Sequence, residues 1–188
     1  GVSGTLQYFE RGMVLSSAAT GTHAVLTGPL RTAWGARDGS GGTLGWPTSD
    51  QETVETGTRQ RFQRGTITIT DTADVIVVEG AYFQYWSAGT NASKLGDAVA
   101  SAVTWSAGGV TGSYQTFERG MVMSSATTGT FAVLNGPVRT VWGAQDGSGG
   151  PLGWPVADQV TTPNGVEQAF QHGRVIVPNT GDPYFVLG

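Results

Sequence analysis

Few residues in this chain could do chemistry. It has two histidines and no cysteine, so thiolate chemistry, thiolate metal sites and disulfides are excluded. His23 recurs later as Phe131 in a near-identical stretch. A position that takes either ring is expected to be a packing position. His172 stands where the same motif elsewhere has Arg64 and Arg119, which reads as an exposed polar site. A zinc site would have to recruit carboxylates, and no His-x-x-x-His or His-x-His spacing occurs. No metal or cofactor is expected.

Asp50, Glu52 and Glu55 form the densest acidic cluster. Glycoside hydrolysis needs two carboxyls facing each other across a cleft. Only Asp50 recurs, as Asp158, so a turn or cap beside a corner is the expected role. The loops at Asp38 and Asp146 are followed by Gly-Ser-Gly-Gly and lack the alternating carboxylates of a calcium loop. Ser16-Ser17 and Ser124-Ser125 precede turns and are expected to hydrogen-bond the local backbone. Nothing resembles a serine flanked by a base and its orienting acid. The chain is expected to carry no catalytic residue and not to be an enzyme.

Composition narrows the class further. The net charge is −4 and only 13% of residues are charged, which does not suit a nucleic-acid surface. No apolar run approaches the roughly 20 residues of a membrane span. Thirty glycines and six tryptophans favour short packed elements joined by tight turns. The opening Gly-Val-Ser-Gly suggests a mature fragment or a domain of a longer protein.

The elements that position these residues repeat. Leu44-Gly45-Trp46-Pro47 returns as Leu152-Gly153-Trp154-Pro155, and the same offset carries Phe9 to Phe117 and Trp34 to Trp142. A Phe-x-x-Gly motif opens at Phe9, Phe62, Phe117 and Phe170, giving a period of roughly 54 residues. Units fall at 6–58, 59–112, 113–165 and a partial 166–188, within one repeat domain spanning 1–188. Each unit reads as a β-hairpin, a short helix and a Gly-rich corner loop. Phe62–Thr70 alternates as a strand, and Val75–Val78, His23–Leu26 and Phe131–Leu134 read as return strands. Pro29 suits a helix start, and Leu30, Ala33 and Trp34 share one helical face. The expected fold is an α+β repeat of about three and a half units, packed side by side as an arc or a closed ring.

The aromatics fall into two groups. Trp34, Trp142, Trp46 and Trp154 hold the most regular positions and are expected to form the core, Trp46 and Trp154 pinning the corner. Tyr82, Phe83, Tyr85 and Trp86 crowd the second unit's helix, and Phe83 stands where the others have Arg31 and Arg139. An aromatic where a charge would serve is a candidate ligand contact or docking patch. The second corner keeps only Leu95-Gly96. The apolar stretch from Ala98 to Trp105 reads as an extra helical turn or strand.

The Leu-Gly-aromatic-Pro corner, its glycine loop, the helix ending in Trp and the Phe-x-x-Gly motif together resemble LGFP repeats, over almost the whole chain. The resemblance implies a module of secreted actinobacterial proteins, often joined to cell-wall hydrolases or mycolyltransferases. It would be cell-wall associated and would anchor its neighbour to envelope polysaccharide of arabinogalactan or peptidoglycan type. The alternative is a protein–protein interaction domain docking through the aromatic second unit.

Overall fold

The computed structural model describes residues 1–188. It divides into two compact units, Gly1–Gln84 and Tyr85–Gly188.

The first unit opens with a three-stranded antiparallel sheet of β1 (Gly4–Phe9), β2 (Gly12–Ser17) and β3 (Gly21–Leu26). Helix α1 (Pro29–Gly35) follows, then a 3-10 turn at Gly39–Gly41 and the corner Leu44–Pro47. A four-stranded antiparallel sheet comes next: β4 (Glu52–Val54), β5 (Gly57–Phe62), β6 (Gly65–Thr70) and β7 (Val75–Glu79). Helix α2 (Gly80–Ser87) carries the chain into the second unit.

The second unit repeats the plan. After α3 (Asn91–Leu95) comes a sheet of β8 (Val103–Ala107), β9 (Val110–Phe117), β10 (Gly120–Ser125) and β11 (Gly129–Leu134). Helix α4 (Pro137–Gly143), a 3-10 turn at Gly147–Gly149 and the corner Leu152–Pro155 lead to the last sheet. That sheet is β12 (Val160–Thr162), β13 (Gly165–Phe170), β14 (Gly173–Pro178) and β15 (Tyr184–Leu187). The fold is an α+β repeat, as the periodicity implied.

The sheets are larger than the expected hairpins. Phe-x-x-Gly does not open a strand; it is the two-residue turn between two strands. Phe62 closes β5 and pairs with Gly65 at the head of β6, and Phe9, Phe117 and Phe170 do the same with Gly12, Gly120 and Gly173. The strands before Phe62, Phe117 and Phe170 escape a hydropathy reading because an inward side chain of each is polar. Gln60, Gln115 and Gln168 are almost completely buried. Each stands two residues before the Phe, on the same face of its strand. Of the stretch from Ala98 to Trp105, only Val103–Trp105 are strand, as the start of β8; Ala98 makes an isolated bridge to Phe117.

Each unit builds its core between a sheet, the helix after it, the corner, and the next sheet. In the first unit Met13, Leu15 and Val25 meet Leu30 and Trp34 of α1, Leu44 and Trp46 of the corner, and Phe62, Ile67 and Val77 beyond. In the second, Met123 and Val133 meet Val138 and Trp142, then Leu152, Trp154, Phe170 and Val175. A single sheet with one helix leaves its outer face bare, and within each unit the following sheet covers it.

Candidate functional site

The corner is a clamp made of indoles and backbone carbonyls. Trp34 donates its Nε1–H to the Gly45 carbonyl at 3.0 Å and stacks on Phe62 with ring centres 5.9 Å apart. Trp142 does the same with Gly153 at 2.9 Å and with Phe170 at 5.7 Å. The glycine is required there. Gly45 has φ 77°, which strains any side chain, and a Cβ on it would meet Gln63 Oε1 at 2.8 Å and displace it from the Trp46 N–H. Trp46 and Trp154 are buried. Their rings lie so close to Gly4 and Gly112 that a Cβ there would sit 2.6 Å and 2.9 Å from ring carbons.

Two of the sequence candidates in the second repeat, Tyr82 and Trp86, belong to the same machinery. Trp86 donates to the Gly96 carbonyl at 2.8 Å, a third copy of the clamp. Tyr82 and Trp86 are only 7% and 8% exposed, so neither ring offers a face for stacking. Tyr82 occupies the position of Leu30 and Val138, the core-facing site of its helix. Tyr85 is partly buried, and its hydroxyl donates to Asp158 Oδ1 at 2.5 Å. Burial, together with that hydrogen bond and the Asp158 charge, holds its phenol well above the usual range. Phe83 is partly exposed. A cleft of about 30 Å³ beside Tyr85, Lys94 and Asp158 has room for a water or so.

The acidic residues serve the backbone. Asp50 Oδ1 accepts the Ala24 N–H at 2.7 Å, and Asp158 Oδ1 accepts the Ala132 N–H at 3.0 Å. Each therefore clips the open edge of a strand, a longer reach than the local turn or cap read from sequence. Glu52 bonds Arg59 and Arg61, both at 3.1 Å. Its burial raises the carboxyl pKa, but the two arginines outweigh that and hold it below the usual value. Glu55 is exposed. Ser17 and Ser125 accept the backbone N–H of Thr20 and Thr128. His23 is partly buried with Nε2 2.7 Å from the Thr20 carbonyl, and His172 is exposed. No three His, Asp or Glu side chains gather in ligand geometry.

The second unit carries a groove of about 220 Å³ that sequence reading missed. Trp105 on β8 is 45% exposed and forms one wall. Its Nε1–H is fixed on Ser148 Oγ at 3.0 Å, and Ser148 is itself buried in the 3-10 turn. Tyr114 stands edge-on to it, ring centres 6.0 Å apart at 81°. Met121 and Met123 also line the groove, with Asp146, an exposed carboxylate. Asp146 has φ 61°, a left-handed conformation that Asp tolerates better than most residues. The groove thus sets a fixed aromatic face and apolar walls beside a carboxylate acceptor. The one sequence signal was Trp105 itself, in a stretch that breaks the repeat.

A family model for the LGFP repeat matches residues 1–42, 44–110 and 95–150. No curated protein compared with the chain matches it. The last sheet lies beyond those matches, yet it repeats the same clamp through Trp142, Gly153 and Phe170. Matched over most of its length, this chain belongs to the LGFP repeat family.

Proposed function

We propose that the chain is a non-catalytic module that binds cell-envelope polysaccharide and holds an attached secreted protein at the wall. The family's units are repeat modules of cell-wall-associated proteins, which supports the location. The observation that carries the binding reading is the groove under Trp105. Its indole is exposed, locked by Ser148 and flanked by Tyr114 and Asp146. Ordering costs are small because the ring is already fixed, so weak stacking contributes to binding rather than to immobilising the side chain. A single groove of this size takes one or two sugar rings with modest affinity. The repeating units of a wall polymer raise the chance of rebinding.

The test is sedimentation with purified actinobacterial cell walls at low salt, with soluble arabinogalactan and peptidoglycan fragments as separate competitors. The full chain should pellet with the walls, and one competitor should release it. Protein remaining in the supernatant contradicts the reading.

A further inference from the structure

The first sheet carries a complete docking code that no part of the chain engages. On the second sheet, four side chains around the turn seize the preceding helix and corner. Phe62 stacks on Trp34. Gln60 Nε2 donates to the carbonyls of Ala24 and Ser49, at 2.8 Å each. Gln63 Oε1 accepts the Trp46 N–H at 3.0 Å, and Arg64 Nε donates to the Thr43 carbonyl at 2.9 Å. The last sheet repeats three of these contacts. Phe170 stacks on Trp142, Gln168 donates to Ala132 and Ala157, and Gln171 accepts from Trp154. The third sheet uses Arg119 on the Lys94 carbonyl at 3.1 Å and buries Phe117 to 2% exposure.

The same positions on the first sheet are Gln7, Phe9, Glu10 and Arg11, all exposed, with Phe9 at 56%. Glu10 is no departure from the code, because Glu118 stands there in the third sheet. A carboxylate accepts a corner N–H as an amide oxygen does.

We propose that the β1–β3 face is a docking site for the helix-and-corner half of another LGFP unit. The partner is defined by its chemistry. It presents an indole for Phe9, an unpaired corner N–H for Glu10, loop carbonyls for Arg11 and a strand-edge carbonyl for Gln7. This is the interface already formed within the chain, offered once more. It does not depend on the polysaccharide reading.

A tandem chain tests it, with a copy of Gly1–Thr56 placed directly ahead of Gly4, which aligns with Gly57. The added unit should dock on the original β1–β3 face. Tm should rise by about 5 °C or more, and the original Phe9 should become protected. Phe9→Asp in that original sheet should return Tm to the parent value. An unchanged Tm, insensitive to Phe9→Asp, overturns the proposal. A second measurement needs no new chain. In the parent, Phe62→Asp should lower Tm sharply while Phe9→Asp leaves it within about 2 °C. An equal loss from Phe9→Asp would show that the face is already covered, and would also overturn the proposal.

Discussion

Phe9 and Phe117 close equivalent strands with the same pairing partner, a glycine at the head of the next strand. One is 56% exposed and the other 2%. The sequence around them is almost the same, so the sheet itself does not decide their burial. The helix and corner that precede the sheet in sequence decide it. Trp46 and Trp154 differ in a related way. Trp154 is completely buried with its Nε1–H on the Ala107 carbonyl at 3.0 Å, whereas Trp46 keeps 9% of its surface. Ala107 ends β8, and the first sheet has no strand in that place. The same added strand brings Trp105 and so creates the groove. In this fold a neighbouring element decides whether a repeated residue is core or surface.

The sharpest way to break that comparison is to truncate both phenylalanines. Phe117→Ala should cost about 3–5 kcal/mol, a large buried ring with a residual cavity. Phe9→Ala should stay within about 0.5 kcal/mol. Denaturant unfolding of both variants checks this, and equal losses would refute the dependence on the preceding helix and corner. The buried glutamines give the next effect. Gln168→Ala strands two carbonyls and should cost about 2 kcal/mol, against about 0.5 kcal/mol or less for exposed Gln7→Ala.

The corner, the helix and the repeating Phe were legible because large apolar residues recurred at fixed spacing. Leu30 and Trp34 sit one helical turn apart, and α1 buries both. The strands before Phe62, Phe117 and Phe170 were hidden because Gln60 and its counterparts occupy inward positions that hydropathy scores as outward. Tyr82 and Trp86 show the same one-turn spacing as Leu30 and Trp34, and that spacing marks a core face. The crowding of aromatics around them suggested a surface patch instead. Trp105 was illegible for the opposite reason. It has no counterpart in the repeat, and only its contact with Ser148, far along the chain, makes it a fixed wall.

Tyr85 sharpens the account at the scale of one hydrogen bond. Tyr85→Phe should cost about 1 kcal/mol at neutral pH, because its acceptor Asp158 is partly solvated. The folded-state phenol titrates above its unfolded value. The stabilisation is therefore complete below about pH 10 and is lost as pH rises towards the folded-state value. The gap between wild type and Tyr85→Phe in urea unfolding should narrow above pH 10. Trp105→Ala should also cost little stability, about 1 kcal/mol or less, since the ring is half in solvent. Its consequence for binding should be much larger, on the order of tenfold or more, with an intact fold by circular dichroism.

The most direct measurement follows the indole N–H signals of all six tryptophans by NMR while solubilised envelope polysaccharide is titrated in. The Trp105 signal should shift and saturate, with those of buried Trp34 and Trp46 unmoved. Binding that leaves Trp105 unperturbed, or no binding at concentrations where the walls retain the protein, would contradict the account.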